Sequence, residues 1–568
     1  MPLGPEYIHG LSVALGKILP CRVSRVEGGE SWIALRVSSS DEQWLLLSWG
    51  NGSAGCCKSD ESSIEFLKKN ARARPPLVEA LKSRLVKGRI LAARQLNYDR
   101  VIEFEFSRLV AAGFEVAYSL VLEATEPTGN LILLNGERKI EELARHASPD
   151  VNRYRTLLPA HAYAPPPNFD GLILSEVQEI DFESVSKIKG IGRPLARLIQ
   201  SQWDERAHSQ WLSALKSLYA EDGGAKLYCQ RTEKGYLTRF PLPLAKLSQI
   251  GDDALEGARE GVLQPLLKSA RAHILRDLDV RALRAAKAKE RRIDGLLKQL
   301  DNHKVAETFR LKGQLLLANI TKNQPNNNAC NTDNISLNDW TSGENINITL
   351  DPRLSISKNA DRYFKKYKKA HCDPDKINEE ISSLKSAIDE IREQRDLLDS
   401  IENLTAFDEA ARDVEEWLTG EVEKRAAAKD TKKGGGKKSS PLPPHLRFDM
   451  DEYIILVGLS ARGNRYVTFK QAAGDDIWLH AHEVSGAHVI IKGARGRENL
   501  DEKVLLFAAS LAATHSAKSG DSFTQVDYTE RRHVRAVPGT VSLVLYTNPS
   551  TIRVNPANDH AIPPSHSS

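Results

Sequence analysis

The run Asp475-Asp476-Ile477-Trp478-Leu479-His480-Ala481, followed by Gly486-Ala487-His488-Val489-Ile490-Ile491, reads as two short strands, Trp478 to His480 and His488 to Ile491. Alternation puts Trp478 and His480 on one face of the first strand. Around this pair, Tyr453 to Val457, Tyr466 to Phe469, Gln525 to Tyr528, Arg531 to Arg535, Thr540 to Tyr546 and Thr551 to Val554 read as further strands. Leu505 to Ser516 is an apolar, alanine-rich helix. Residues 447–556 therefore form a compact α+β domain, and no catalytic signature appears in it. Residues 557–568 are a tail.

Working outward, residues 431–446 are a basic linker. Lys432-Lys433-Gly434-Gly435-Gly436-Lys437-Lys438 is flexible, and Pro441, Pro443 and Pro444 stiffen its second half. Its lysines suit phosphate contact, and a solvated linker explains them equally well. Residues 259–430 read as two long helices. The first runs over 262–318, and Lys268 to Lys312 carries 13 Lys/Arg against 6 Asp/Glu. The second runs from near Asn359 to about Lys429, with Ile381, Leu384, Ile388, Ile391 and Leu398 stepping by threes and fours. An Asn-rich polar break near 320–350 separates them, so an antiparallel coiled coil with a tip is expected rather than two ordinary bundle helices.

Residues 169–258 read as short helices. Within them Ile188-Lys189-Gly190-Ile191-Gly192 is a helix-hairpin-helix-like pattern. Its glycines permit a tight turn, and the amides at the next helix start could hold a phosphate. A plain glycine turn between two helices is the competing account. Residues 1–168 read as a sheet with flanking helices: Ile8 to Ile18 and Pro76 to Leu85 are helical. Ser31 to Ser48, Arg89 to Leu96, Ala117 to Glu123 and Asn130 to Leu134 are strand-like. Arg100 to Phe106 alternates cleanly and predicts a half-buried strand. The unit stops at Ala164-Pro165-Pro166-Pro167.

Composition narrows the function. The chain has 568 residues, a prior for about four domains. Its formal net charge is +4, so any surface for nucleic acid must be local rather than global. No apolar stretch reaches the roughly 18 residues of a membrane span, and Met1 to Pro20 shows no signal-peptide pattern. The 6 cysteines form no CxxC pair, which argues against a zinc ribbon or a disulfide scaffold and for a cytoplasmic setting. No Walker A motif and no Ser/His/Asp arrangement can be assigned, so no cofactor and no catalytic residue is expected.

The 475–491 run resembles the signature of the NFACT-R RNA-binding domain. Val526-Asp527-Tyr528-Thr529, His533-Val534, Pro538-Gly539 and Thr551-Ile552-Arg553-Val554 follow in that family's order. Gly313 to Asn319, Leu350-Asp351-Pro352 with Asn359-Ala360, and Tyr363 to Tyr367 resemble its middle region. Asp99-Arg100 resembles its N-terminal Asp-Arg motif. The chain is thus similar to the RqcH-type ribosome quality control factors of bacteria, also called fibronectin-binding-protein-A-like. The resemblance implies an α+β multidomain chain: an α/β NFACT-N domain, a small helix-hairpin-helix domain, a long antiparallel coiled coil and a C-terminal α+β NFACT-R domain. It implies binding to a large ribosomal subunit, through rRNA and a stalk-base protein, that still holds peptidyl-tRNA and a stalled nascent chain. It implies recruitment of tRNA, mainly alanyl, and C-terminal tailing, with no membrane partner. One departure stands out. Where the family shows Gly-Arg-His-Ser-Asn after a strand ending in Glu, Glu123 here is followed by Ala124-Thr125-Glu126-Pro127-Thr128-Gly129-Asn130, so only Asn130 survives.

On this resemblance Asp99, Arg100 and Asn130 are the tRNA-binding candidates. Arg offers a planar donor fork for phosphate or a base edge, and Asp can orient it. Lys189, Gly190 and Gly192 are RNA-binding candidates of the hairpin. In the C-terminal domain Trp478, His480 and His488 could stack on unpaired bases, with core packing as the alternative. Lys492, Arg495, Arg531, Arg532 and Arg535 suit rRNA backbone contact, against a solvated face. The aspartates and histidines here match no common metal-ligand spacing. Two other readings compete. A formamidopyrimidine-type DNA glycosylase needs an N-terminal proline followed by glutamate, and Pro2 is followed by Leu3. A fibronectin-binding adhesin needs export and anchoring signals, and none is visible.

Overall fold

A computed structural model of the chain describes residues 4–556 except 39–41, 111–112, 151, 206, 221–222, 225, 232–236, 245–246, 324–329, 331, 341, 421–441 and 497–499. The lysine-glycine linker, Arg497, the end of the expected second helix and the tail lie outside the described residues. The chain forms two compact units, Met1–Ile274 and Leu275–Ser568. No described helix is long and apolar enough to cross a membrane.

The first unit is built on a nine-stranded antiparallel sheet. Its strands are β1 (Cys21–Gly28), β2 (Trp32–Ser38), β3 (Glu42–Ser48), β4 (Gly55–Ser59), β5 (Arg89–Gln95), β6 (Val101–Leu109), β7 (Glu115–Glu123), β8 (Asn130–Asn135) and β9 (Ile140–Leu143). The order β4-β3-β2-β1-β5-β6-β7-β8-β9 is two meanders joined where β1 pairs with β5. Three helices flank it: α1 (Pro5–Gly16), α2 (Glu61–Lys69) and α3 (Pro76–Leu85). Proline starts α1 and α3, where its missing N–H costs nothing. The Asp60 carboxylate caps α2 by accepting from Ser63 N at 2.8 Å.

β6 is not the half-buried strand that its alternation predicts. Val101, Ile102, Phe104 and Phe106 are buried, and so is Glu103 between them. Arg138 closes on Glu103 at 2.6 Å, which lets a carboxylate occupy the middle of a sheet covered on both faces. The same device ends β7. Glu123 is fully buried, takes both guanidinium nitrogens of Arg155 at 2.6 Å, and accepts from Tyr163 Oη at 2.9 Å. Residues 155–163 are thereby tied to the sheet although they contain no strand.

The rest of the first unit holds the glycine hairpin between a 3₁₀ turn, Ser184–Lys187, and α4 (Arg193–Ser201). Its core stacks Trp203 on Trp211 beside α5 (His208–Leu218). A three-stranded sheet of β10 (Leu227–Arg231), β11 (Leu237–Phe240) and β12 (Ser248–Ile250) lies where only helices were expected.

In the second unit the helical pairing is present. The short α6 (Ala254–Gly257) belongs to the first unit, as do the first turns of α7 (Arg259–Asn323), a 65-residue helix that contains Pro265 there and continues into the second unit. The expected single helix from Asn359 is instead three: α8 (Ile356–Ala370), α9 (Pro374–Ser400) and α10 (Leu404–Leu418). Asp373 caps α9 with Pro374 in its first turn, and Asn403 caps α10 by accepting from Ala406 N at 3.0 Å. These capping residues restart the helix twice. α9 runs antiparallel to α7: Asp279 pairs with Arg395 and Arg292 with Glu380, over an apolar seam of Ile293, Leu296, Ile377, Ile381 and Ile388. The Asn-rich tip is a hairpin of β13 (Asn334–Asn338) and β14 (Asn345–Thr349).

The C-terminal part is a six-stranded antiparallel sheet plus a small hairpin. The sheet holds β15 (His445–Met450), β16 (Tyr453–Gly458), β17 (Ile477–Ala481), β18 (Val489–Lys492), β19 (Thr524–Glu530) and β22 (Ser550–Val554), in the order β15-β16-β18-β17-β19-β22. The hairpin pairs β20 (Val534–Ala536) with β21 (Val544–Tyr546). Tyr466 to Phe469 is helical, not a strand, because Ser460 caps α11 (Ala461–Tyr466) and a π turn continues it. Arg531–His533 is a 3₁₀ turn, and strand structure in 540–546 is limited to β21. α12 (Glu502–Thr514) covers the other sheet face with its alanine-rich surface. Buried carboxyl and amide groups of α9 and α10 seat this domain. Glu390 accepts from the amides of Val541 and Ser542, Gln394 from Ala461 N, and Asp413 from Ser460 and Arg462.

Replacing Glu123 by alanine strands the Arg155 guanidinium in the interior. A denaturant series should find Glu123→Ala less stable by about 3–5 kcal/mol. A loss below about 1 kcal/mol, the range of exposed pairs, would show that solvent relieves the charge.

Candidate nucleic-acid interface

Asp99 and Arg100 sit on the turn between β5 and β6. Asn97 and Tyr98 both take left-handed backbone angles, φ 56° and 52°, which reverses the chain tightly and projects the next residues from the sheet end. Asp99 Oδ1 accepts from Arg100 N at 2.7 Å, and the Arg100 guanidinium lies 4.0 Å from the same carboxylate. Both side chains are partly exposed, at 28% and 30%. Gln95 anchors the turn by donating to the carbonyls of Asp99 and Pro5, each at 2.8 Å.

Three other segments of the first unit converge behind this turn. Tyr98 meets the ring of Tyr219 edge-on, at 5.7 Å between centroids, and Tyr219 lies 4.3 Å from His9 of α1. Tyr219 Oη donates to the Gly190 carbonyl at 2.7 Å, so the aromatic cluster reaches the glycine hairpin. Gly190 has φ +87°, a conformation that glycine adopts without strain.

The hairpin does not present its amide to a phosphate. Gly192 N donates to Glu6 Oε2 at 2.7 Å, and Glu6 is 1% exposed. The anion position of the motif is thus filled from within by a carboxylate of α1. Burial pushes the Glu6 carboxyl up to about 7, against the opposing pull of its own amide, the Gly192 amide and the Arg100 charge. Gly190 and Gly192 are themselves buried, and Lys189 is half-buried beside them. Asn130 is also withdrawn. It is 2% exposed, accepts from the amides of Arg145 and Leu131, and donates to the Arg145 carbonyl at 2.8 Å. It shares the sheet end with Arg100, whose carbonyl accepts from Ala124 N, but holds a loop rather than facing outward.

In the second unit Trp478 is fully buried and His488 is 4% exposed. Trp478, His480, His488 and Tyr546 form one cluster with centroids 4.9–5.7 Å apart. Burial pushes the His480 ring down to about 4 and His488 well below the usual imidazole range. Trp478 and His488 are thus interior groups packed away from a stacking base, whereas His480 and Tyr546 are partly exposed. The basic candidates, by contrast, are brought together. Arg531 N donates to the Asp476 carbonyl, Arg532 N to the Gly474 carbonyl and Gly496 N to the Asp475 carbonyl. Asp476 also accepts from Ala473 N and Gly493 N. Lys492, Arg495, Arg531 and Arg532 therefore collect at one end of the sheet. Arg531 is spent partly on Thr468 O and on the Phe469 face, 4.9 Å away, and Arg532 pairs with Glu530. Arg495 and Arg535 remain exposed.

A second exposed group escaped the sequence reading. Phe523 is 54% exposed, and the Arg553 guanidinium stands 4.6 Å from its ring centroid. His482 Nδ1 lies 2.7 Å from Oδ2 of buried Asp527. That hydrogen bond, then the carboxylate charge, raises the imidazole above its ordinary range. An aromatic in the polar loop Ser519-Gly520-Asp521-Ser522-Phe523 was the available signal. Among the described residues no group of three or more His, Cys, Asp or Glu could hold a metal ion.

Comparison with known proteins agrees with this layout. The profile of the NFACT N-terminal and middle domains matches residues 8–433, and that of the NFACT protein RNA binding domain matches residues 445–543. With an RNA-binding domain joined to an N-terminal sheet through paired helices, the chain belongs to the NFACT family. A protein named Rqc2 homolog RqcH from Streptococcus suis is 29% identical over 492 residues, 82% of each chain. Its namesake in Bacillus subtilis is 28% identical over 523 residues, 86% of each chain. The solved N-terminal part of the fibronectin/fibrinogen-binding protein from Streptococcus suis aligns with a TM-score of 0.38 and 21% identity, covering 45% of this chain and 98% of its own. Within the family the chain is of the bacterial RqcH type, which gives it a role in ribosome quality control with RNA as a partner.

The raised Glu6 carboxyl makes stability depend on pH. The folded state holds this proton more tightly than the unfolded chain, so the stabilisation is complete below about 4.5 and is lost as pH rises towards about 7. Glu6→Gln should match the wild type at low pH and exceed it by a margin that grows to about pH 7 and then levels. Parallel melting-temperature profiles would refute the burial account. Glu6→Ala, which strands the Gly192 amide, should be less stable than Glu6→Gln by about 1–3 kcal/mol at every pH.

Proposed function

We propose that the protein rescues stalled translation by binding a large ribosomal subunit that still holds peptidyl-tRNA. In this reading it recruits a charged tRNA, the alanyl species by resemblance, and promotes addition of C-terminal residues that mark the nascent chain for proteolysis. The observation that carries the reading is the Tyr98-Asp99-Arg100 turn. It is tight and hydrogen-bonded, projects from a sheet end, and offers a guanidinium whose described ion-pair partner is a single neighbouring carboxylate. Such a fork suits a phosphate or a base edge of tRNA. Because Asn130 is buried and the hairpin amide is taken, tRNA contact in this unit rests on the turn rather than on those residues.

Ribosomal RNA would meet the basic sheet end around Arg495 and Arg532, with Arg535 exposed on the β20–β21 hairpin, and the cationic length of α7 offers a second backbone surface. The paired helices give the reach needed for a stalk-base protein. Peptide bonds would form in the ribosome's own centre, while this chain contributes placement of substrate. A cytoplasmic location follows from the same reading.

Affinity capture from cells under translation stress, with sequencing of bound RNA, tests it. Large-subunit rRNA together with one enriched tRNA is expected, and Asp99→Ala/Arg100→Ala should keep the rRNA and lose the tRNA. Capture of neither RNA by the wild type would overturn the proposal and favour the adhesin or nuclease readings.

A further inference from the structure

One face of the C-terminal sheet has two regimes. Across β17, β19 and β22 the register aligns His480 with Asp527 and Asp527 with Thr551. One step on, His482 N donates to the Gln525 carbonyl, and Gln525 pairs with Arg553. Residues in register on neighbouring strands share a face. The β20–β21 hairpin roofs the first row: Tyr546 packs 4.9 Å from Trp478 and donates to Asp527 at 2.8 Å. Past Tyr546 the face is open. Gln525, Thr551 and Arg553 are exposed, His482 is 37% exposed, and Phe523 lies just ahead of β19.

The open end is organised. Asp527, itself 2% exposed, accepts from Tyr546 and Thr551 and meets His482 at 2.7 Å, which fixes the imidazole. Arg553, though exposed, lies over the Phe523 ring, so its guanidinium is placed in advance. Lys518 adds positive charge beside His482. The row from His482 to Arg553 spans about 10 Å, two strand spacings. Flat π and guanidinium faces next to cations suit an unpaired base followed by its phosphate. A base inside a duplex hides its faces and would not fit.

We infer that Phe523 and Arg553 form a stacking shelf for an unpaired base of single-stranded RNA, with His482 and Lys518 meeting the adjoining phosphate. The inference rests on the RNA-binding reading above and gives it a subsite, distinct from the basic end near Arg495 and Arg532. That end marks the start of β17, whereas the shelf lies at its finish.

The test uses the full chain and three labelled probes: single-stranded oligoadenylate, the same backbone without bases, and a hairpin duplex. Phe523→Leu should weaken oligoadenylate binding about tenfold and leave the abasic probe unchanged. Arg553→Lys, which keeps charge but loses the plane, should do the same more weakly. His482→Gln should weaken oligoadenylate and the abasic probe alike. All three positions are at least partly exposed, so unchanged thermal unfolding is expected and controls for folding. Phe523→Leu binding oligoadenylate like the wild type, or losing equally on every probe, would overturn the shelf while leaving RNA binding intact. Failure of the wild type to bind any probe or ribosomal RNA would instead remove the underlying reading.

Discussion

The contact on which the first unit depends is the hydrogen bond from Gly192 N to the Glu6 carboxylate. It joins the first helix of the chain to a hairpin 186 residues later. The two partners explain each other. A helix start exposes amides that need acceptors, and a buried carboxylate needs donors. Because Glu6 is held there, Tyr219 can hydrogen-bond the Gly190 carbonyl and pack on His9 and Tyr98. The Asp99-Arg100 turn is therefore backed by an aromatic wedge whose position is set by a carboxylate on another element. The Arg100 charge in turn favours the ionised form of Glu6, which couples the exposed turn to the buried bond.

The second unit repeats this logic. Glu390 takes two consecutive amides of the Val541-Ser542 loop, Asp413 takes Ser460 and Arg462, and Asp476 takes Ala473 and Gly493. A carboxylate accepts through two oxygens and so can gather several donors at once. Loops are rich in unpaired amides, and that makes carboxylates efficient fasteners between loop and helix. The penalty of burying so much negative charge is visible in Glu393. Burial first, then Glu390, Asp389 and Asp396, push its carboxyl up to about 7. The seam between the paired helices and the C-terminal domain is thus polar and directional, which fixes a single seating where an apolar seam would tolerate sliding.

Sequence pattern reads the fold best where period and caps agree. Pro76–Leu85 is the helix that its spacing predicts, and the strands of the 89–135 region lie close to their expected places. Failures have physical sources. The heptad seam Ile381 to Leu398 lies within α9, but extending one helix from Asn359 to Lys429 overlooks Asp373-Pro374 and Asn403, which are both helix starts. The β10–β12 sheet comes from short strands that carry no sustained alternation. Site residues divide in the same way. Asp99, Arg100 and the loop arginines are partly exposed or exposed, whereas Asn130, Trp478 and His488 are buried, because residue type alone cannot separate a stacking aromatic from a core aromatic. Phe523 is missed for the converse reason: a lone aromatic in a polar loop has no period to mark it.

Two kinds of RNA contact require different supports, and the C-terminal sheet has room for both. Phosphate contacts need charge and tolerate movement, because Coulomb attraction falls off slowly with distance. They are therefore well served by the loops at Arg495 and Arg532, which backbone bonds gather but do not freeze. Base contacts need a plane within stacking distance and lose their value when it tilts. Phe523 and Arg553 meet that demand by locking each other beside the register of β19 and β22, with His482 pinned through Asp527. The strands between the two ends set their separation, so an RNA strand crossing the sheet would be anchored by charge at one end and read as unpaired at the other. The buried Trp478 cluster then fills the room under the roof formed by Tyr546, between the two ends.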